Sequence, residues 1–116
     1  PAAWWREADG VHLRAADAAK LTARPELPAG ALVGVSAHDN AQIIHARDLN
    51  ADFAVLGPVL ETPSHPGAPT LGWEGFVQGI HDAGIPVFAL GGQSTQTVSQ
   101  ALRHGAHGIA GIRGVL

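Results

Sequence analysis

The chain has 116 residues, 46% hydrophobic and 15% charged, with a formal net charge of −3 and neither cysteine nor methionine. That composition describes a core-forming globular chain rather than a disordered one, and its scattered basic residues make no stripe for nucleic acid and no polybasic segment for a membrane surface. No run approaches the roughly eighteen apolar residues of a spanning helix, no signal-peptide pattern opens the chain, and the lack of cysteine removes disulfide and thiolate-metal chemistry and fits a reducing compartment, so a cytoplasmic location is expected.

The elements follow one plan, an apolar run, a turn and an amphipathic stretch. Gly10-Val-His-Leu13 reads as the first strand, followed by a helix from Ala15 to Leu21 and a loop punctuated by Pro25 and Pro28. Ala31 to Ser36 reads as the second strand, followed by a helix from Asn40 to Leu49 in which Ile43, Ile44, Ala46 and Leu49 form an apolar stripe. Phe53 to Gly57 is the third strand and runs into the longest loop, Pro58 to Leu71. A helix from Trp73 to Ala83 follows, with Phe76, Val77 and Ile80 expected inward. The fourth strand is Pro86 to Leu90 with a helix from Thr95 to Arg103, and the fifth is Gly108 to Ile112. Strands alternating with helices imply right-handed crossovers and a parallel sheet, so the fold class is α/β. Three helix-to-strand passages share a phrase: Glu7-Ala-Asp-Gly10, Asn50-Ala-Asp-Phe53 and His104-Gly-Ala-His-Gly108. Each has a turn-forming residue that lets the chain enter the next strand closely.

Five β/α units fall short of a closed eight-stranded barrel, which takes about 200–250 residues. The expectation is a single partial (β/α)8 barrel domain over residues 1–116, completed by further residues or by a second chain, or else an open sheet. A fragment of a longer chain or a processed N-terminus would each account for the missing initiator methionine.

The segment Ile85-Pro-Val-Phe-Ala-Leu-Gly-Gly92 carries the clearest chemistry. Its apolar run is a buried parallel strand. Gly91 and Gly92 then allow the backbone to approach a ligand closely, with free N–H groups of the next turn favouring an anion. A tight turn without a ligand is the alternative. Gly108-Ile-Ala-Gly-Ile112, ending in Arg113 and Gly114, repeats the pattern one unit later, and two such strand ends together resemble the phosphate site built after the last strands of barrel enzymes.

Taken in order, Gly10-Val-His-Leu13 with Asp17, Val33-Gly-Val-Ser36 with His38, Ala51 to Val59 with Thr62-Pro-Ser-His65, Ile85 to Gly92 and Gly105 to Gly114 resemble the thiamine phosphate synthase family and its thiazole tautomerase relatives, over the last five of eight β/α units. The wording from Gly57 to Trp73 is most similar to the branch in which such a domain follows a Nudix hydrolase domain. The resemblance implies thiamine biosynthesis: a pyrimidine methyl diphosphate is joined to a thiazole phosphate, releasing pyrophosphate with magnesium assistance. It implies that Asp17 binds magnesium, that Ser36 lies near the pyrimidine and pyrophosphate, and that Thr62, Ser64 and His65 grip the pyrophosphate on a mobile loop. It also implies that Gly91 and Gly92, with Gly111, Ile112 and Arg113, hold the thiazole phosphate. His65 departs from the family's lysine and Arg113 from its usual serine, and Pro58 stands where the tautomerases carry a histidine.

Each residue also has a plainer reading. Asp17 could serve the helix macrodipole, Ser36 could cap a turn, and residues 58–71 could be a proline-rich surface loop. Arg113 could project into solvent. His12 and His38 read as packed, hydrogen-bonded residues rather than metal ligands, and Trp4, Trp5 and Trp73 as packing residues, with Trp4 and Trp5 alternatively covering an exposed edge or filling a subunit interface. The runner-up function is a non-catalytic phosphate-ligand or regulatory module attached to a Nudix hydrolase. A third possibility is a structural role for an oligomerising incomplete barrel. An unpaired apolar edge at Gly10 to Leu13 favours a homo-oligomer, in the simplest case a dimer.

Overall fold

A computed structural model describes residues 10–27, 29–61, 67 and 69–110. It contains β1 (Gly10–Leu13), α1 (Ala15–Ala18), β2 (Leu32–Ala37), α2 (Asn40–Asp48), β3 (Phe53–Leu56), α3 (Gly72–Gly79), β4 (Val87–Leu90), α4 (Val98–Arg103) and β5 (Ile109–Ala110). The strands form one parallel sheet in sequence order, β1-β2-β3-β4-β5. The register sets His12 beside Gly34, Val35 beside Ala54 and Leu56 beside Ala89. Consecutive parallel neighbours joined by helices are the repeating unit of a (β/α) barrel wall, as the sequence pattern implies.

Side chains alternate across this wall. One set, Val11, Leu13, Val33, Val35, Ala54, Leu56, Val87 and Ala89, is buried beneath the helices. It divides into a core around β1 and β2, closed by Ala46 and Leu49, and a core around β3 and β4, closed by Ile43 and Phe76. The opposite set includes His12, Ser36, Phe53 and Phe88. On that face the His12 and Phe53 rings lie 6.1 Å apart, and Phe53 meets Phe88 edge-on at 6.0 Å. Gly34 leaves room for Phe53, since a Cβ there would collide with its ring.

The shared passage phrase has a physical basis in two places. After α2, Asn50 adopts φ 58°, and the Ala51 N–H reaches back to the Ala46 carbonyl at 3.1 Å. After α4, Gly105 adopts φ 95°, and the Ala106 N–H reaches the Ala101 carbonyl at 3.0 Å. Both are left-handed caps that close the last helical turn before the chain re-enters the sheet. The next residues continue the ladder, Asp52 N–H to Val33 O at 2.8 Å and His107 N–H to Val87 O at 2.9 Å. The first phrase, ending at Gly10, lies almost wholly outside the described residues.

Asp52 also ties the bottom of β2 and β3 together. Its carboxylate accepts from Val33 N–H at 2.7 Å and from Arg24 at 3.0 Å, while Arg24 donates to the Ala31 carbonyl at 2.9 Å. The Val33 hydrogen bond first, and then Arg24, hold the Asp52 carboxyl below its ordinary range.

Two expectations are corrected. Val77 is 45% exposed, because consecutive helical residues are about 100° apart and Phe76 already occupies the inward direction. The helices are also shorter than their apolar patterns: α1 stops at Ala18, α3 at Gly79, and α4 begins only at Val98. No helix among the described residues is long and apolar enough to cross a membrane.

Candidate functional site

Because the strands are parallel, their C-terminal ends share one rim. Asp17 lies in α1 just past β1, Ser36 is near the end of β2, Gly57 and Pro58 follow β3, and Gly91 and Gly92 follow β4. These are the positions from which barrel enzymes act. Thr62, Ser64 and His65, and Gly111, Ile112 and Arg113, lie outside the described residues.

The turn after β4 is the most constrained part of the rim. Gly91 and Gly92 have φ values of 100° and 63°. A Cβ on Gly91 would stand 2.7 Å from Pro58 Cα, and one on Gly92 would stand 2.8 Å from the Glu61 carbonyl oxygen. Glycine is therefore required twice over at each position, by backbone sign and by space. The segment from Pro58 to Leu60 runs alongside, with Val59 N–H donating to Leu90 O at 2.8 Å and Leu60 N–H to Gly91 O at 3.1 Å. The N–H groups of Gly92 and Gln93 meet no acceptor among the described residues. Successive unsatisfied amides in left-handed backbone form a concavity suited to an anion. These donors belong to the turn itself, since Ser94–Thr97 form a separate turn before α4.

Ser36 is the hydrogen-bonding partner of His12, a pairing that the sequence does not give. His12 Nε2 lies 2.6 Å from Ser36 Oγ. Partial burial lowers the His12 pKa from its ordinary 6.5, which favours the neutral ring at neutral pH, and the tautomer sets which of Nε2 and the Ser36 hydroxyl donates. This pairing comes from two parallel strands in a register that sets both side chains on the face away from the helices. Ser36 also lines a cavity of about 260 Å³ between α1 and α2, with Ala18, Val35, Asp39, Gln42 and His45. Its polar walls are occupied: Asp39 caps α2 by accepting from Gln42 N–H, Gln42 accepts from His38 N–H, and His45 bonds the Ala18 carbonyl.

Asp17 is paired with Arg14 at 3.2 Å in an exposed i,i+3 bridge. Among the described residues no group of three or more His, Asp or Glu could hold a metal ion. One carboxylate already engaged by an arginine does not amount to a magnesium site, and no step is derived through that ion.

A family model described as thiamine monophosphate synthase matches residues 1–115. The thiamine-phosphate synthase of Myxococcus xanthus is 36% identical over 102 residues, covering 87% of this chain and 47% of that protein. The thiamine-phosphate synthase of Chloroflexus aurantiacus is 33% identical over 111 residues, covering 95% and 51%. The solved structure of thiamine phosphate pyrophosphorylase from Pyrococcus furiosus superposes with a TM-score of 0.64 at 25% identity, covering 91% of this chain and 50% of that one. The chain thus spans about half the length of the curated relatives it matches. Its five consecutive parallel β/α units and its match from end to end make one conclusion plain: the chain belongs to the thiamine monophosphate synthase family.

Proposed function

We propose that this chain carries the thiazole-phosphate end of a thiamine phosphate synthase site, within a domain that joins a pyrimidine methyl diphosphate to a thiazole phosphate and releases pyrophosphate. The observation that carries the reading is the turn after β4, where two positive-φ glycines lie against Pro58–Glu61 and present amides that meet no acceptor among the described residues. In this role the Gly92 and Gln93 N–H groups bind and orient the phosphate, and Gly111, Ile112 and Arg113 extend the cradle. Ser36, hydrogen-bonded to His12, faces the pyrimidine side, and Thr62, Ser64 and His65 close over the pyrophosphate. Attachment to a Nudix domain and a cytoplasmic location belong to the same reading and rest on the wording of residues 57–73 and on the cysteine-free composition.

Asp17 is engaged by Arg14, and the basic residues are scattered with no cluster for a diphosphate among the described residues, so the 116-residue chain by itself is expected to form no thiamine phosphate from the two phosphorylated substrates with magnesium. Measurable turnover by this chain would overturn that expectation. The Arg14–Asp17 pair favours a second reading, a phosphate-binding module without synthase activity. Binding of thiazole phosphate without synthesis by a longer form of the protein would support that one.

We also propose a dimer. Among the described residues β1 pairs only with β2, leaving one side of Gly10–Leu13 unpartnered, and open strand edges recruit other chains. Light scattering is expected to give twice the chain mass, and a stable monomer would refute the dimer.

A further inference from the structure

We infer that Gln93 is a positioning residue for the anion-binding turn, working as a clamp with Thr97; the inference rests on the phosphate reading above. Gln93 is 6% exposed, the buried polar side chain of the described residues. Burying a carboxamide is unfavourable unless its polar atoms find partners, and here its nitrogen and its oxygen each have one. Its Nε2 donates to the Gly91 carbonyl at 2.9 Å, and its Oε1 accepts from the Thr97 hydroxyl at 2.8 Å. Thr97 in turn accepts from Ser94 N–H at 3.0 Å.

The consequence follows from peptide planarity. The Gly91 carbonyl is pulled inward by both Gln93 Nε2 and Leu60 N–H. In a trans peptide the C=O and the following N–H point in opposite directions, so fixing this carbonyl inward fixes the Gly92 N–H outward, where the phosphate would sit. Two adjacent glycines leave that peptide free to rotate in the absence of such a restraint. A leucine at position 93 would fill similar space without the desolvation cost, so what the carboxamide adds is orientation of the donor.

The test is titration of inorganic phosphate into the 15N-labelled chain. Wild type is expected to show saturable shifts at the Gly92 and Gln93 amides. Gln93→Leu is expected to bind about tenfold more weakly, with a melting temperature within about 2 °C of wild type, because Gly91 O keeps Leu60 N–H and the Thr97 hydroxyl can turn to Ser94 O at 3.0 Å. Thr97→Val should weaken binding in the same direction, and Thr97→Ser should restore it. Equal affinity in wild type and Gln93→Leu, or a loss of stability with affinity unchanged, would overturn the positioning role and leave the phosphate site standing. No response of wild-type Gly92 would overturn the phosphate site itself. Residual dipolar couplings of the Gly92 N–H without phosphate then judge the clamp separately: a value unchanged by Gln93→Leu would refute it.

Discussion

Replacing Gly91 by alanine is expected to destabilise the protein by on the order of 3 kcal/mol and to abolish phosphate binding at the β4 turn. Two penalties combine. At φ 100° an L-residue is strained wherever it stands, and the added methyl would lie 2.7 Å from Pro58 Cα and 2.9 Å from Val59 N. Both are backbone atoms, and they cannot swing aside as a side chain could. Val59 is fixed on either side, its N–H on Leu90 O and its carbonyl on Gly72 N–H, each at 2.8 Å. Relief must come from the turn moving outward, which withdraws the Gly91 carbonyl from Leu60 N–H and Gln93 and lets the Gly92 donor rotate. Gly30 supplies the control, because its φ is 85° and nothing lies within 4 Å of the position a Cβ would take. Gly30→Ala should lose only the conformational penalty, about 1 kcal/mol. Urea denaturation of the two variants isolates the collision as their difference, and equal losses would show that residues 58–59 do not stand against the turn.

How much of this could be read from sequence depends on whether a residue's role is local. The strands at Gly10–Leu13 and from Phe53 were legible because apolar runs bounded by turn residues allow little else. The turn at Gly91 and Gly92 was legible as well, since both residues adopt positive φ there, but the pair alone did not distinguish a tight turn from a ligand site. The helix ends were not: Ser94 to Thr97 look helical by composition, yet Thr97 Oγ1 takes the Ser94 N–H and closes a separate turn. Ile80 and Ala83 continue the apolar pattern of α3, but the chain departs after Gly79 through Asp82 and Gly84, both left-handed at φ 56° and 68°. The partnership of His12 with Ser36, twenty-four residues apart, depends on the β1–β2 register, which no local pattern encodes. Gln93 was missed for a different reason. A glutamine in a glycine-containing loop reads as solvent-facing, and only its network of hydrogen bonds explains its burial.

The same structural dependence makes Phe76→Ala the most costly core substitution to expect, at about 3–5 kcal/mol. Phe76 is fully buried and meets Trp73 edge-on at 5.7 Å. Its ring closes the core that holds Ile43, Leu56 and Val59. Removing it leaves a cavity bounded by two strands and a helix, which cannot collapse without breaking the sheet register. That loss is a large share of the roughly 5–15 kcal/mol typical of a domain, and should lower the melting temperature by roughly 10–20 °C. Phe76→Leu keeps most of the volume and should lose about 1.5 kcal/mol or less. The effect should also be uneven, because Val59 shares this core and anchors the segment that walls the Gly91 turn, while Val33 and Val35 belong to the other core. Amide exchange in Phe76→Ala should therefore accelerate at Val59 and Leu60 more than at Val33 and Val35. Uniform acceleration would mean that the two cores unfold as one unit, and that the platform beneath the Gly91–Gly92 turn has no stability separate from the rest of the sheet.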